Sequence, residues 1–198
     1  MIKIAVSKGS IETNFYKMLL DKNLSNDIIC PNRSLKINVN NEYELLLVKA
    51  IDVIRLVSKG YANVGVVGSD IIEEVNSKDI IELLDLESGI CNFSLATLPC
   101  ISIDDIDLIA TKYPNITRRL LNNLGIDPTI IKMEGSLELA PLINYADGIV
   151  DLVETGNTLK ANGLIILKML EQISTRVICN IDNVDNSEVK NLIKRLER

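Results

Sequence analysis

Residues 147–164 read DGIVDLVETGNTLKANGL, and their polar members stand where a sugar phosphate could be handled. Ile149, Val150, Leu152 and Val153 make a short buried strand. Thr155, Gly156, Asn157 and Thr158 follow as a turn able to aim successive backbone N–H groups at one anion, with two hydroxyls beside them. The helix expected after the turn adds the positive end of its dipole, so a phosphate at Gly156 needs no basic side chain. Asp151 and Glu154 cannot serve that phosphate. They suit the other end of such a ligand, accepting from ribose hydroxyls or holding magnesium through water. Taken alone, the same four turn residues are equally well ordinary loop chemistry with a helix cap.

Other polar groups fall at strand ends, where ligands gather in open α/β sheets. Lys8, between Ser7 and Gly9, is placed for phosphate or is a surface lysine at a strand–helix turn. The segment GVVGSD at residues 65–70 lacks the spacing of a dinucleotide fingerprint; close backbone packing accounts for its glycines, and Asp70 reads as a helix cap. In TKYPNITRR, residues 111–119, Thr111 and Lys112 are candidates to face a ligand, and Asn115 or Thr117 to cap a helix. Arg118 and Arg119 read as surface charge on that helix. Ser136 and Glu138 sit near an expected helix start, where Glu138 is either a site acid or a capping residue. Met133 and Tyr145 read as core or boundary residues.

Composition removes whole classes of chemistry. The 198 residues contain no histidine, so Ser–His and Cys–His nucleophilic catalysis is excluded. Cys30, Cys91, Cys100 and Cys179 show no paired spacing and read as buried thiols. A net charge of −6 argues against a general nucleic-acid or anionic-membrane surface, so an anionic ligand must be held locally. Apolar residues, 47 % of the total, come in short runs too brief to cross a bilayer. The opening MIKIAVSKG has no signal-peptide design, which predicts a cytoplasmic protein.

The elements that must position these groups alternate between strand and helix, a pattern that favours parallel sheets covered by helices. Strands are predicted at residues 3–6, 44–48, 64–67, 108–111, 130–133, 149–153 and 176–180. Helices are predicted at 10–22, 52–58 with a left-handed cap at Gly60, from Asp70, 115–125, 136–144, 161–173 and 187–198. Residues 82–98 carry two apolar stretches around Gly89 and read as one long strand crossing between domains. The expected architecture is two α/β domains joined by a double crossover, domain I being residues 1–90 plus 176–198 and domain II residues 91–175, with a central cleft as the ligand site.

The segments IATKYPNITRR, EGSLELAPLINYADGIVDLVETGNTLKANGL, GYANVGVVGSDII and ELLDL closely resemble ATP phosphoribosyltransferase, over nearly the whole chain. The resemblance implies a periplasmic-binding-protein-like (type II) two-domain α/β fold. It also implies a reaction joining ATP to phosphoribosyl pyrophosphate, with magnesium, to give phosphoribosyl-ATP and pyrophosphate. The length resembles the short form, which implies pairing with a histidyl-tRNA-synthetase-like regulatory subunit in a hetero-oligomer. By the same resemblance residues 155–158 hold the 5′-phosphate of the sugar donor, Asp151 and Glu154 address the ribose or magnesium water, and Lys8 with Lys49 faces pyrophosphate or triphosphate oxygens. Gly9, at the end of the first strand, and Ser136 with Glu138, near the expected helix start, are further candidates for substrate binding. Ser10, Lys49, Ile54 and Asn63 depart from the family pattern, and the basic residues expected near Ile90, Asn92 and Leu108 are absent. A non-catalytic anion-binding module, or a regulatory relative with the same fold, is the competing expectation.

Overall fold

In the computed structural model, residues 1–25 and 34–197 are described, so Cys30 and the expected last helical residue Arg198 lie outside the description. The elements in chain order are β1 (Ile2–Ser7), α1 (Ser10–Asp21), β2 (Lys36–Val39), β3 (Tyr43–Val48), α2 (Ala50–Ser58), β4 (Val64–Gly68), α3 (Ser69–Val75), β5 (Ile80–Asp85), β6 (Cys91–Thr97), β7 (Leu108–Thr111), α4 (Pro114–Asn123), β8 (Thr129–Lys132), α5 (Leu139–Leu142), β9 (Gly148–Val153), α6 (Asn157–Ala161), β10 (Ile165–Ile173), β11 (Thr175–Asn180) and α7 (Ser187–Glu197). They form two compact units, Met1–Gly89 with Ser174–Arg198, and Ile90–Ile173.

The first unit is a six-stranded sheet of order β2-β3-β1-β4-β11-β5, clothed on both faces. Alternation along β1 sends Ile2, Ile4 and Val6 to one face, where Phe15, Tyr16 and Leu19 of α1 meet Val189, Leu192 and Leu196 of α7. Ala5 goes to the other face with Val53, Ile54 and Val57 of α2. Each fully buried Val, Leu, Ile or Phe contributes about 1.5–3 kcal/mol, so these two layers dominate the unit's stability. Gly65 lets α2 lie this close: a Cβ there would stand 2.7 Å from Val53 Cγ1 and 2.9 Å from Ile178 Cγ1 and Val57 Cγ2.

The second unit is a five-stranded sheet of order β10-β6-β9-β7-β8. One face carries Ala96, Ala110 and Ile149 against Leu137, Ala140, Leu159 and Leu164, from α5, α6 and the segments around them. Away from that layer, Phe93 meets Tyr113 edge to face at 5.2 Å between ring centres.

Several expectations are corrected. Neither sheet is purely parallel: β11 runs antiparallel to both β4 and β5, β2 to β3, and β6 to both β9 and β10. Residues 82–98 are two strands in different sheets, interrupted by left-handed Glu87 (φ 50°) and Gly89 (φ 63°). Residues 161–173 are not a helix. Gly163 (φ 72°) ends the turn after α6, and β10 pairs with β6 from Ile165↔Thr97 to Ile173↔Cys91. Residues 136–144 form only the single turn α5, because Ser136 is left-handed (φ 50°) and Pro141 lacks the amide a longer helix needs. Helix α4 starts with Pro114 at its first turn and has Tyr113 as its unassisted N-cap, so neither Asn115 nor Thr117 caps it. Gly68, not Asp70, is the N-cap of α3. Of the cysteines only Cys179 is buried among the described residues; Cys91 is half-buried and Cys100 exposed. Tyr145 is exposed too.

Candidate functional site

Strand β9 delivers the central acid. Its pairing with β7 ends at Thr111↔Val150, whereas its pairing with β6 continues to Val153↔Asn92. Past the end of β7 the Leu152 N–H donates to Asp151 Oδ1 at 2.8 Å, so the carboxylate satisfies its own strand where the ladder stops. The chain then turns through Gly156 at φ 73°, ψ 5°. A Cβ at Gly156 would meet only ordinary contacts, 3.8 Å from Val153 and 3.9 Å from Ile166, so the conformation rather than the space calls for glycine. Any L-residue there costs about 1–2 kcal/mol.

Helix α6 is anchored by buried Leu159, and the Lys160 N–H donates to the Gly156 carbonyl at 3.0 Å. Asn157 N–H makes only a long 3.4 Å contact to Thr155 Oγ1. Among the described residues nothing accepts from the amides of Thr155, Gly156 and Thr158. Thr155, Asn157 and Thr158 are exposed and Gly156 half-exposed, so this bend is neither packed away nor spent on internal bonds.

A pocket of about 230 Å³ is lined by residues 151–159 together with Glu138. Three carboxylates, those of Asp151, Glu154 and Glu138, therefore share one wall system with the amide-bearing turn. Burial pushes the Asp151 carboxyl above its ordinary range; the Leu152 amide draws it back, Glu138 raises it again and Lys112 lowers it. Glu138 is half-buried and precedes α5 without capping it through its side chain, which leaves the pocket as its surroundings. Ser136 is exposed and lies outside the pocket lining. Asp147, at the head of the motif, is structural: its Oδ2 accepts from the amides of Asp107 and Leu108 at 3.0 and 2.8 Å. Thr111 is structural as well, buried and donating to the Val150 carbonyl at 2.7 Å.

Lys8, Gly9 and Lys49 belong to the first unit. Strands β1 and β3 are parallel neighbours in register at Ser7↔Val48, and the Lys8 amide donates to the Val48 carbonyl at 3.0 Å. Both lysines thus leave the same sheet edge one residue beyond that register and both are exposed. Gly9 is the N-cap of α1 (φ 105°) and its amide makes a 3.4 Å contact to Glu12 Oε2; Lys49 is the N-cap of α2.

Two further residues bear on Asp151: Lys112, already a candidate in the sequence, and Ser94, which carried no signal there. Lys112, whose ammonium lies 5.7 Å from the Tyr113 ring centre, is among the described residues the one basic group that bears on Asp151. Ser94 is 1 % exposed, its Oγ has no hydrogen-bond partner among the described residues, and it stands directly opposite Asp151 across the β6–β9 ladder. An unsatisfied buried hydroxyl costs about 1–3 kcal/mol. Only the register of β6 against β9 could reveal it.

Comparison with known proteins bears on the same residues. Residues 49–198 match the family described as HisG: ATP phosphoribosyltransferase. The ATP phosphoribosyltransferase of Clostridium novyi (strain NT) is 42 % identical over 207 aligned residues, covering 100 % of this chain and 97 % of the relative. That of Clostridium botulinum (strain Okra / Type B1) is 44 % identical, covering 90 % and 87 %. Among solved structures, a chain of the ATP phosphoribosyl transferase (HisG:HisZ) complex from Thermotoga maritima superposes with a TM-score of 0.81 at 30 % identity, covering 100 % of this chain and 97 % of that one. The periplasmic VFT2 domain of Bordetella pertussis BvgS shares the fold alone, with a TM-score of 0.65 at 12 % identity over 99 % of this chain and 86 % of that one. With its α/β sheets, its turn of free amides and its relatives all in agreement, the chain belongs to the ATP phosphoribosyltransferase family.

Proposed function

We propose that the pocket at residues 151–159 receives the phosphoribosyl donor and that the chain transfers this group to the adenine ring of ATP, giving phosphoribosyl-ATP and pyrophosphate at the head of histidine biosynthesis. The observation that carries the reading is the sharing of one pocket by unengaged amides on one side and carboxylates on the other. The amides of Thr155, Gly156 and Thr158, with the threonine hydroxyls, take the 5′-phosphate. Asp151 and Glu154 accept from the ribose hydroxyls. As pyrophosphate departs the ribose becomes oxocarbenium-like, and a carboxylate already shifted by burial interacts strongly with that developing positive charge. Lys8 and Lys49 neutralise pyrophosphate or triphosphate oxygens, Gly9 lets the chain approach them, and Glu138 borders the sugar. The adenine nitrogen brings its own lone pair, so positioning supplies much of the rate and no histidine base is required.

Magnesium fits this donor set in one particular way. Among the described residues no group of three or more His, Cys, Asp or Glu is arranged to hold a metal directly. Hard oxygens of Asp151 and Glu154, reached through water, suit an ion that keeps much of its hydration and is otherwise bound by substrate phosphates. When bound, magnesium supplies charge neutralisation for the pyrophosphate oxygens.

The chain is further proposed to act as the short form, in a hetero-oligomer with a histidyl-tRNA-synthetase-like regulatory subunit. The HisG:HisZ assembly of the Thermotoga structural relative and the length shared with the Clostridium novyi relative support this. No helix among the described residues is long and apolar enough to cross a membrane, and a cytoplasmic site of action is proposed. Incubating the full chain and its partner with ATP, phosphoribosyl pyrophosphate and magnesium should release pyrophosphate and form phosphoribosyl-ATP. Donor binding without either product would instead identify a binding module or regulatory relative.

A further inference from the structure

The face of the second sheet that meets α5 and α6 is apolar, with Ala96, Ile149 and Val153 packed against Leu137, Leu159 and Leu164. Asp151 and Ser94 interrupt it together. They are direct partners in the β6–β9 register, and side chains so opposed leave the same face with Cβ atoms about 4.5–5.5 Å apart. Asp151 opens into the pocket. Ser94, across the ladder from it, is 1 % exposed, with a hydroxyl that meets no hydrogen-bond partner among the described residues. In the structure Asp151 Oδ1 is folded back onto the Leu152 amide at 2.8 Å.

We infer that Ser94 is a positioning residue for Asp151: when the ribose of the donor draws the carboxylate off the Leu152 amide and into the pocket, the Ser94 hydroxyl donates to it and holds it there. The orphan hydroxyl is then the cost of keeping a donor ready in the ligand-free protein. Among the residues of β6 Ser94 alone stands directly opposite Asp151, and its immediate neighbours Phe93 and Leu95 point to the opposite face. The inference rests on the pocket's being the phosphoribosyl-donor site.

It is tested on the full chain by calorimetric titration with phosphoribosyl pyrophosphate and magnesium, alongside thermal unfolding without ligand. Ser94→Ala should weaken donor binding about tenfold, the effect of one charge-assisted hydrogen bond, while leaving the ligand-free Tm unchanged or higher because an unsatisfied hydroxyl has gone. Ser94→Cys, similar in size but a weak donor, should fall between the two. In an Asp151→Asn background the further change Ser94→Ala should have little effect. A Ser94→Ala chain that binds the donor within twofold of the unaltered protein overturns the inference while leaving the donor site standing. So does a loss of equal size in the Asp151→Asn background, or a loss that follows a lowered Tm. Failure of the unaltered chain to bind the donor overturns both.

Discussion

The turn at residues 155–158 and the lysine edge of the first unit are both proposed to hold phosphates, and they do so by different means. The turn uses main-chain amides fixed by a left-handed glycine and by Leu159 buried beneath α6, so its donors are in place before a ligand arrives. Lys8 and Lys49 are exposed side chains on the adjacent strand ends of β1 and β3, with charge but without fixed geometry. Amide donors select shape; ammonium groups supply attraction that salt screens and that must be paid for in rotamer entropy. The turn should therefore determine which ligand is bound, and the lysines how strongly a polyanion is drawn in.

The largest effect expected belongs to the acids beside the turn. Asp151→Asn with Glu154→Gln should lower kcat/KM for pyrophosphate release by about a thousandfold or more, since both groups face charge that develops only in the transition state. A drop of tenfold or less would place catalysis elsewhere. Next comes the turn itself. Gly156→Val forces a β-branched residue into the left-handed region and should weaken donor binding by about ten- to a hundredfold at nearly constant Tm, with Gly156→Ala in between. Lys8→Ala and Lys49→Ala should each raise KM by about tenfold or less, and the difference from the unaltered chain should shrink as ionic strength rises. If the salt dependence lay instead with the Gly156 variants, the contrast between the two regions would be reversed.

Smaller effects concern stability. Burial alone would raise the Asp85 carboxyl, but the Glu87 amide at 2.9 Å, the Ser174 hydroxyl at 2.8 Å and the Arg176 guanidinium at 3.0 Å outweigh it and hold the group below its ordinary range. A carboxyl lowered on folding stabilises the protein above its unfolded pKa, and that stability is lost as pH falls below about 4. Asp85→Asn should therefore lower Tm at neutral pH and flatten its acid decline, as read by thermal unfolding from pH 7 to pH 3. The bidentate pair Arg119–Glu171, with both contacts at 2.9 Å, joins α4 to β10 but is about 40 % and 38 % exposed at its two side chains. Arg119→Ala should cost no more than about 1 kcal/mol in denaturant unfolding.

Which of these features could be read from residue order follows from how local each one is. The bend at Gly156 needs only its own residues, and strands such as β1, β4 and β9 announce themselves by short apolar runs between turns. Strand β10 does not. Its residues IILKMLEQI include good helix formers, and the state they adopt is set by a ladder to β6, which lies some seventy residues earlier by sequence numbering. The same holds for α5, shortened by a left-handed Ser136, and for the antiparallel insertion of β11 between β4 and β5.

Residue order by itself determined the chemistry on offer: no histidine, a glycine-bearing turn, two acids just before it, and lysines after the first strands. These are properties of types and spacings that need no distant partner. Tertiary structure alone decided that Glu138 joins Asp151 and Glu154 around one pocket, that Ser94 stands across from Asp151, and that Lys8 and Lys49 leave the same sheet edge. Those juxtapositions depend on strand register, which is fixed by the simultaneous burial of many apolar side chains from remote parts of the chain, and such a condition has no expression in any short stretch of sequence.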